Sequence, residues 1–189
     1  MAFNRLVTFS IVIAHCFLLT MEASEYVIDE QEESRLFHLH NRLNKVWLSQ
    51  TSINRELHDA SRCGKQEIVA MILSHTTGSL MIKQYNINYA LRSAAVNNHH
   101  GIVELLLACS NPIRPDQYGV NQAFCDVVTY GSYVDMAERL LTHVEGQLTP
   151  DDESIANAYS DAVTYGHKKM IDLIEQKIKN LPKIEKKEK

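Results

Sequence analysis

The sequence predicts an all-α fold, a solenoid of stacked antiparallel helix pairs closed at its N-terminal end by a helical cap. Two pairs of self-similar stretches and a shared helical pattern carry that expectation. Residues 57–73 (LHDASRCGKQEIVAMIL) fit residues 91–107 (LRSAAVNNHHGIVELLL) at a shift of 34, with Leu57 on Leu91, Ala60 on Ala94, Ile68 on Ile102 and Val69 on Val103. Residues 127–131 (VVTYG) fit residues 162–166 (AVTYG) at a shift of 35. After each Gly or Asn break a second apolar run appears at helical spacing, for example Met136, Ala137, Leu140 and Leu141. A period in the low thirties belongs to units that bury their apolar faces only against neighbouring copies.

In chain order, residues 1–23 come first. One positive charge, Arg5, precedes the uncharged run LVTFSIVIAHCFLLTM. Three readings stay open: a cleaved secretory signal, a helix packed as a cap, or a membrane anchor, the last needing about twenty apolar residues. Residues 24–52 read as an acidic linker and a capping helix. Glu22, Glu25, Asp29, Glu30, Glu32 and Glu33 have no basic neighbour, and Leu36, Leu39, Leu43, Val46 and Trp47 recur at helical spacing. Residues 53–181 are the repeat domain. Its first pair spans residues 53–75, and residues 80–88 (LMIKQYNIN) link it to the second as a short helix or an irregular finger. The third pair, residues 118–144, needs one extra residue between Gly131 and Met136. The fourth starts at Thr149-Pro150-Asp151-Asp152-Glu153, read as a capping hydroxyl, a Pro in the first helical position and acids in the first turn. Residues 182–189 form a charged tail.

The motif in these units resembles the ankyrin repeat. Leu57-His58-Asp59-Ala60 matches its L-H-x-A element, Gly166-His167 its G-H turn, and Asn98-His99 nearly so, Asn being the next best residue for the left-handed position. The Thr-Pro that opens a typical first helix of that family is missing, Arg55-Glu56 and Tyr89-Ala90 standing there. The resemblance covers about two thirds of the chain. It implies helix pairs whose first helices line a concave face, and it gives His99 a structural hydrogen bond in the turn.

With 189 residues, 45% hydrophobic and 22% charged, the chain suits one globular domain with a substantial core. A net charge of −4 gives no reason to expect a nucleic-acid partner. Cys16, Cys63, Cys109 and Cys125 lack any C-x-x-C spacing, and no N-x-[ST] acceptor occurs. Both fit a cytosolic environment for the repeat domain, with reduced thiols packed as small apolar groups. Secretion through the N-terminal run is the other localisation the sequence allows, and with it the role of an exported effector.

No residue pattern asks for catalysis, a cofactor or a metal. His38-x-His40 and His99-His100 lack the i, i+4 spacing of a helical zinc site, and no phosphate-cradling Gly-rich loop is present. The expected function is therefore a non-enzymatic protein-interaction module, a small enzyme or inhibitor on the same scaffold being the alternative. The positions of the first helices expected to face a partner are Asp59, Arg62 and Cys63; Ser93, Val96 and Asn97; Asp126, Thr129 and Tyr130; and Asp161, Thr164 and Tyr165. Of these, Asp59, Arg62, Asn97, Asp126, Tyr130, Asp161 and Tyr165 are the binding candidates. The repeated Asp favours a basic protein partner, and the repeated Tyr offers contact area with few rotors. Oligomeric state is not readable.

Overall fold

The apolar spacing becomes eight α-helices, with no strand among the described residues. The structure, a computed structural model, describes residues 49–74, 82–109, 114–142 and 148–180. The apolar run after Arg5, the acidic stretch, the capping helix with Trp47, His38, His40 and the charged tail lie outside them, as do residues 75–81, 110–113 and 143–147. The helices are α1 (Gln50–Cys63), α2 (Gln66–Ser74), α3 (Gln84–Val96), α4 (His100–Ala108), α5 (Gln117–Tyr130), α6 (Val134–Leu141), α7 (Asp152–Tyr165) and α8 (Lys168–Asn180). They form four pairs.

Side-chain caps start α1, α5 and α7, α3 starts after Lys83 without one, and left-handed turns follow all four. The Ser49 hydroxyl accepts from the Ser52 amide at 3.2 Å, and the Asp116 carboxylate accepts from Gly119 N–H at 2.9 Å. These bonds satisfy donors that an uncapped first turn leaves without partners. Asp151 does the same for Ser154 at 2.8 Å, so Thr149 is not the cap of the fourth pair. A carboxylate one residue before the helix outcompetes a hydroxyl two residues further back. The Thr149 carbonyl instead accepts from Gln117 Nε2 at 2.7 Å. Each first helix ends on a residue of positive φ: Gly64 (76°), Asn98 (59°), Gly131 (67°) and Gly166 (73°). The extra residue of the third unit falls in its turn, which runs over residues 131–133 where the first and fourth turns have two.

The link at residues 80–88 is resolved in part: from Gln84 onward it belongs to α3. The first helices thus begin well before the L-H-x-A element, at Gln50 and Gln84. This adds about two turns of helix that carry their own chemistry.

Odd-numbered helices pack in chain order, α1 on α3, α3 on α5 and α5 on α7, and each even-numbered helix packs on its predecessor. Contacts also join α2 to α4 and α6 to α8. Small residues make the close approach: Ala60, Ala94, Ala95, Ala123, Ala158 and Ala162 are all at most 1% exposed. Larger groups, among them Leu57, Leu91, Phe124, Ile72, Leu106, Leu140 and Ile174, fill the layer between first and second helices. Each contributes about 1.5–3 kcal/mol on full burial. The last unit differs. Tyr159 stands where Leu57, Leu91 and Phe124 stand in the other units, and its hydroxyl donates to Glu175 at 3.0 Å. Glu175 in turn replaces the buried Leu73, Leu107 and Leu141.

Candidate interaction surface

Each first helix leaves one stripe of residues unburied, at positions spaced i, i+4, i+7, i+11. On α1 these are Thr51, Arg55, His58 and Arg62; on α3, Tyr85, Tyr89, Arg92 and Val96; on α5, Tyr118, Gln122, Cys125 and Thr129; on α7, Glu153, Asn157, Ser160 and Thr164. None of the sixteen is buried. Tyr85 and Tyr118 hold equivalent places in the first turns of α3 and α5, and are 61% and 63% exposed. Tyr89, one turn beyond Tyr85, is 50% exposed.

These three rings border an open groove of about 450 Å³ whose lining also includes His58, Gln84, Asn88, Arg92 and Asp116. Gln84, Asn88, Arg92 and Asp116 are each held by hydrogen bonds or an ion pair. Gln84 Nε2 donates to the Arg114 carbonyl at 2.8 Å and to Asn88 Oδ1 at 3.2 Å. Asn88 Nδ2 donates to Asp116 at 2.8 Å, and Arg92 meets the Asp126 carboxylate at 2.7 Å. The groove therefore presents mainly tyrosine rings to an incoming group. His58 packs against Tyr89 with ring centroids 4.4 Å apart. Burial pushes its imidazole below the ordinary 6.5, against smaller upward pulls from Asn86 and Asp59, and its Nε2 has no hydrogen-bond partner.

The candidates named from the sequence separate into three groups. Asp126 and Asp161 are engaged inside the stack: Asp126 by Arg92, Asp161 by the Thr129 hydroxyl at 3.1 Å. Asp59 and Arg62 stay exposed on α1 and approach to 3.9 Å. Asn97 closes its own helix, Nδ2 donating to the Ser93 carbonyl at 2.8 Å, and Ser93 itself is buried. Tyr130 and Tyr165 are 68% and 60% exposed, so neither closes its turn by packing into the core. They sit at the C-terminal ends of α5 and α7, far along the helix from Tyr118. Tyr165 stacks on His167, with centroids 5.9 Å apart.

Two repeated devices join the units. His99 Nε2 bonds the Arg62 carbonyl at 2.9 Å, and His167 Nε2 bonds the Thr129 carbonyl at 2.9 Å, each reaching back one unit. The other device is a Gln-x-x-x-Asn ladder missed in the sequence: Gln50 to Asn54, Gln84 to Asn88 and Gln117 to Asn121, bonded at 3.0, 3.2 and 2.9 Å. Asn88 and Asn121 then hold the capping Asp116 and Asp151 of the following unit. Its signal was present, the same dipeptide spacing returning at 34 and 33 residues. It lay upstream of the stretch aligned on L-H-x-A. On the second helices, His100 meets Asp135 at 2.9 Å and Glu104 pairs with Arg139. The His100 hydrogen bond holds the Asp135 carboxyl below its usual range.

Cys63 corrects the expectation of packed thiols, because it is exposed at the end of α1. Cys125 is partly buried, its Sγ 3.6 Å from the Ser154 carbonyl. Burial, with the carboxylates of Asp126, Asp161 and Asp151 adding to it, pushes that thiol up to about 11. Among the described residues, no group of three or more His, Cys, Asp or Glu is placed to hold a metal, and no helix is long and apolar enough to cross a membrane. Comparison with family models, curated proteins and solved structures returns no match.

Proposed function

We propose that the chain is an ankyrin-like array of four helix pairs that acts as a non-enzymatic protein-interaction module through the outward stripe of its first helices. The observation that carries this reading is the cluster of Tyr85, Tyr89 and Tyr118, all at least half exposed around one groove. Tyrosine gives a partner large contact area at small entropic cost, and binding energy concentrates on such residues. The in-series packing of α1, α3, α5 and α7 and the backward bonds of His99 and His167 support the array. The partner-reading residues move, in this proposal, from Tyr130 and Tyr165 to the first turns of α3 and α5. Engagement of Asp126 by Arg92 also removes part of the argument for a basic partner.

The test compares the full chain with two double variants in a capture experiment, each shown to be folded by circular dichroism. Tyr85→Ala with Tyr118→Ala should weaken a captured protein's binding by about 2 kcal/mol or more, some thirtyfold in Kd. Tyr130→Ala with Tyr165→Ala should leave it near wild type. Binding that ignores the first pair of changes moves the interface off this groove.

A further inference from the structure

His58 is the one lining residue of the tyrosine groove whose polar atom is left without a hydrogen bond among the buried groups: its Nε2 is buried and has no partner. The ring lies 4.4 Å from that of Tyr89, tilted by 42°. The side chain of Asn86, itself 1% exposed, bonds it from the buried side. A neutral imidazole can leave Nε2 unprotonated. An imidazolium cannot, because both of its nitrogens are donors.

From this geometry we propose that His58 is a pH-operated gate on the groove: in mildly acidic solution its protonated ring turns out toward solvent, leaves Tyr89 and occupies the space an incoming group would take. The inference rests on the reading of this groove as a binding surface and adds its regulation. A proton on Nε2 makes a buried charged donor with no acceptor, which is costly. Tyr89 gives a cation only the weak attraction of a tilted ring and no lone pair. Rotation about the Cα–Cβ bond into the open groove brings the new N–H to water.

The charged neighbours do not remove that need. On α1, Arg55 lies one turn before His58 and Arg62 one turn after it, with Glu56 and Asp59 between them. On α3, Arg92 lines the groove and is paired with Asp126 of α5. Asp116 lines it too, its Oδ1 bonded by Asn88 and by Gly119 N–H. No residue of α2, the other helix packed on α1, lines the groove. The tyrosine phenols there stay neutral in this pH range. Burial holds the packed ring below the ordinary 6.5, against upward pulls from Asn86 and Asp59. Turned outward, the ring escapes that burial and takes a proton more readily, so acid populates the outward position. Where half of the molecules hold the groove blocked, the apparent Kd of any occupant is about doubled.

Nuclear magnetic resonance of the full chain, with its His and Tyr rings isotope-labelled and no partner added, provides the test. The His58 ring signal should titrate with a midpoint below 6.5. The Overhauser cross-peak between the His58 and Tyr89 rings should be strong at about pH 7.5 and lost at about pH 5.5. Circular dichroism should show unchanged helicity over that span, and in His58→Gln the Tyr89 signals should ignore pH. A cross-peak that survives below the midpoint shows a ring protonated in place, and overturns the gate. Loss of the cross-peak together with helicity overturns it as well, since unfolding then replaces rotation. Should the cross-peak survive while Tyr85→Ala with Tyr118→Ala still weakens capture, the gate falls and the binding surface stands. Loss of the cross-peak with capture indifferent to those tyrosines overturns the binding reading and, with it, the gate.

Discussion

Arg92 and Asp126 lie 34 residues apart, one repeat, and their side chains meet at 2.7 Å across α3 and α5. The pair is part-exposed, at 35% and 27%, so screening limits its strength. A double-mutant cycle with Arg92→Ala and Asp126→Ala should give a coupling energy of about 0.5–1 kcal/mol that shrinks in high salt. A coupling of zero at low salt would mean that Asp126 is available to partners after all.

The turn glycines should differ in sensitivity although their backbones are alike. A Cβ on Gly131 would strike the His167 ring, while one on Gly166 meets nothing within 4 Å. Both have positive φ, so alanine at either costs about 1–2 kcal/mol of left-handed strain. Gly131→Ala should cost clearly more, because it also displaces the His167 bond to Thr129. Equal melting temperatures for the two variants would show that His167 shifts freely and that its bond adds little.

The helix pairs were legible because their evidence is periodic and apolar. Ala60 and Ala94, or Ile68 and Ile102, occupy the same buried places in successive units, so the repeat in the sequence is the repeat in the core. What lay hidden was polar and paired across units. The alignment marked Asp126 and Asp161 as repeated and outward, but it could not show that Arg92 and Thr129 stand beside them. Likewise Tyr85 falls in residues read as a link and Tyr118 at the very start of the third pair, both ahead of the stretch aligned on L-H-x-A. Only once α3 begins at Gln84 do they become neighbours on one face. The start of α5 is set by the capping side chain of Asp116, and α3 begins after Lys83 with no side-chain cap, so neither start registers in a pattern of apolar residues.

His58 predicts a pH dependence in the mildly acidic range. Its folded-state pKa is lowered from 6.5, chiefly by burial. The unfolded chain then binds the proton more readily, so stability is fully present above about pH 6.5 and falls as pH drops below that value. The lowered carboxyls of Asp135 and Asp151 act in a separate window, their contribution being lost only as pH falls below their usual 3.8. Urea midpoints between pH 7 and 5 should therefore decline less steeply in His58→Gln than in wild type. Parallel slopes would mean that the imidazole takes its proton within the fold at no penalty.

The Asn ladder predicts a ranking of three substitutions that apolar periodicity alone would not distinguish. Asn88 is 6% exposed and makes three bonds: it accepts from Gln84 and from the Asp116 amide at 3.2 Å, and it donates to the Asp116 carboxylate at 2.8 Å. Gly119 makes room for it, since a Cβ there would collide with the Asn88 side chain. Asn121 repeats the pattern with Gln117 and Asp151, accepting from the Asp151 amide at 3.1 Å, in a more solvated setting. Asn157, on the outward stripe of the last unit, is exposed, and Ala156 stands where the ladder would continue. Asn88→Ala strands an amide and a carboxylate near the core and should cost about 2–3 kcal/mol. Asn121→Ala should cost about 1–2 kcal/mol, and Asn157→Ala less than about 0.5 kcal/mol. At this chain length each kcal/mol moves Tm by roughly 2–4 °C, so thermal melts separate the three. The ranking also states what the ladder does, which is to lock α3 to the start of α5 and α5 to the start of α7. If Asn157→Ala proved as costly as Asn88→Ala, that locking role would be lost and the Gln-x-x-x-Asn repeat would be a coincidence of three neighbouring helices.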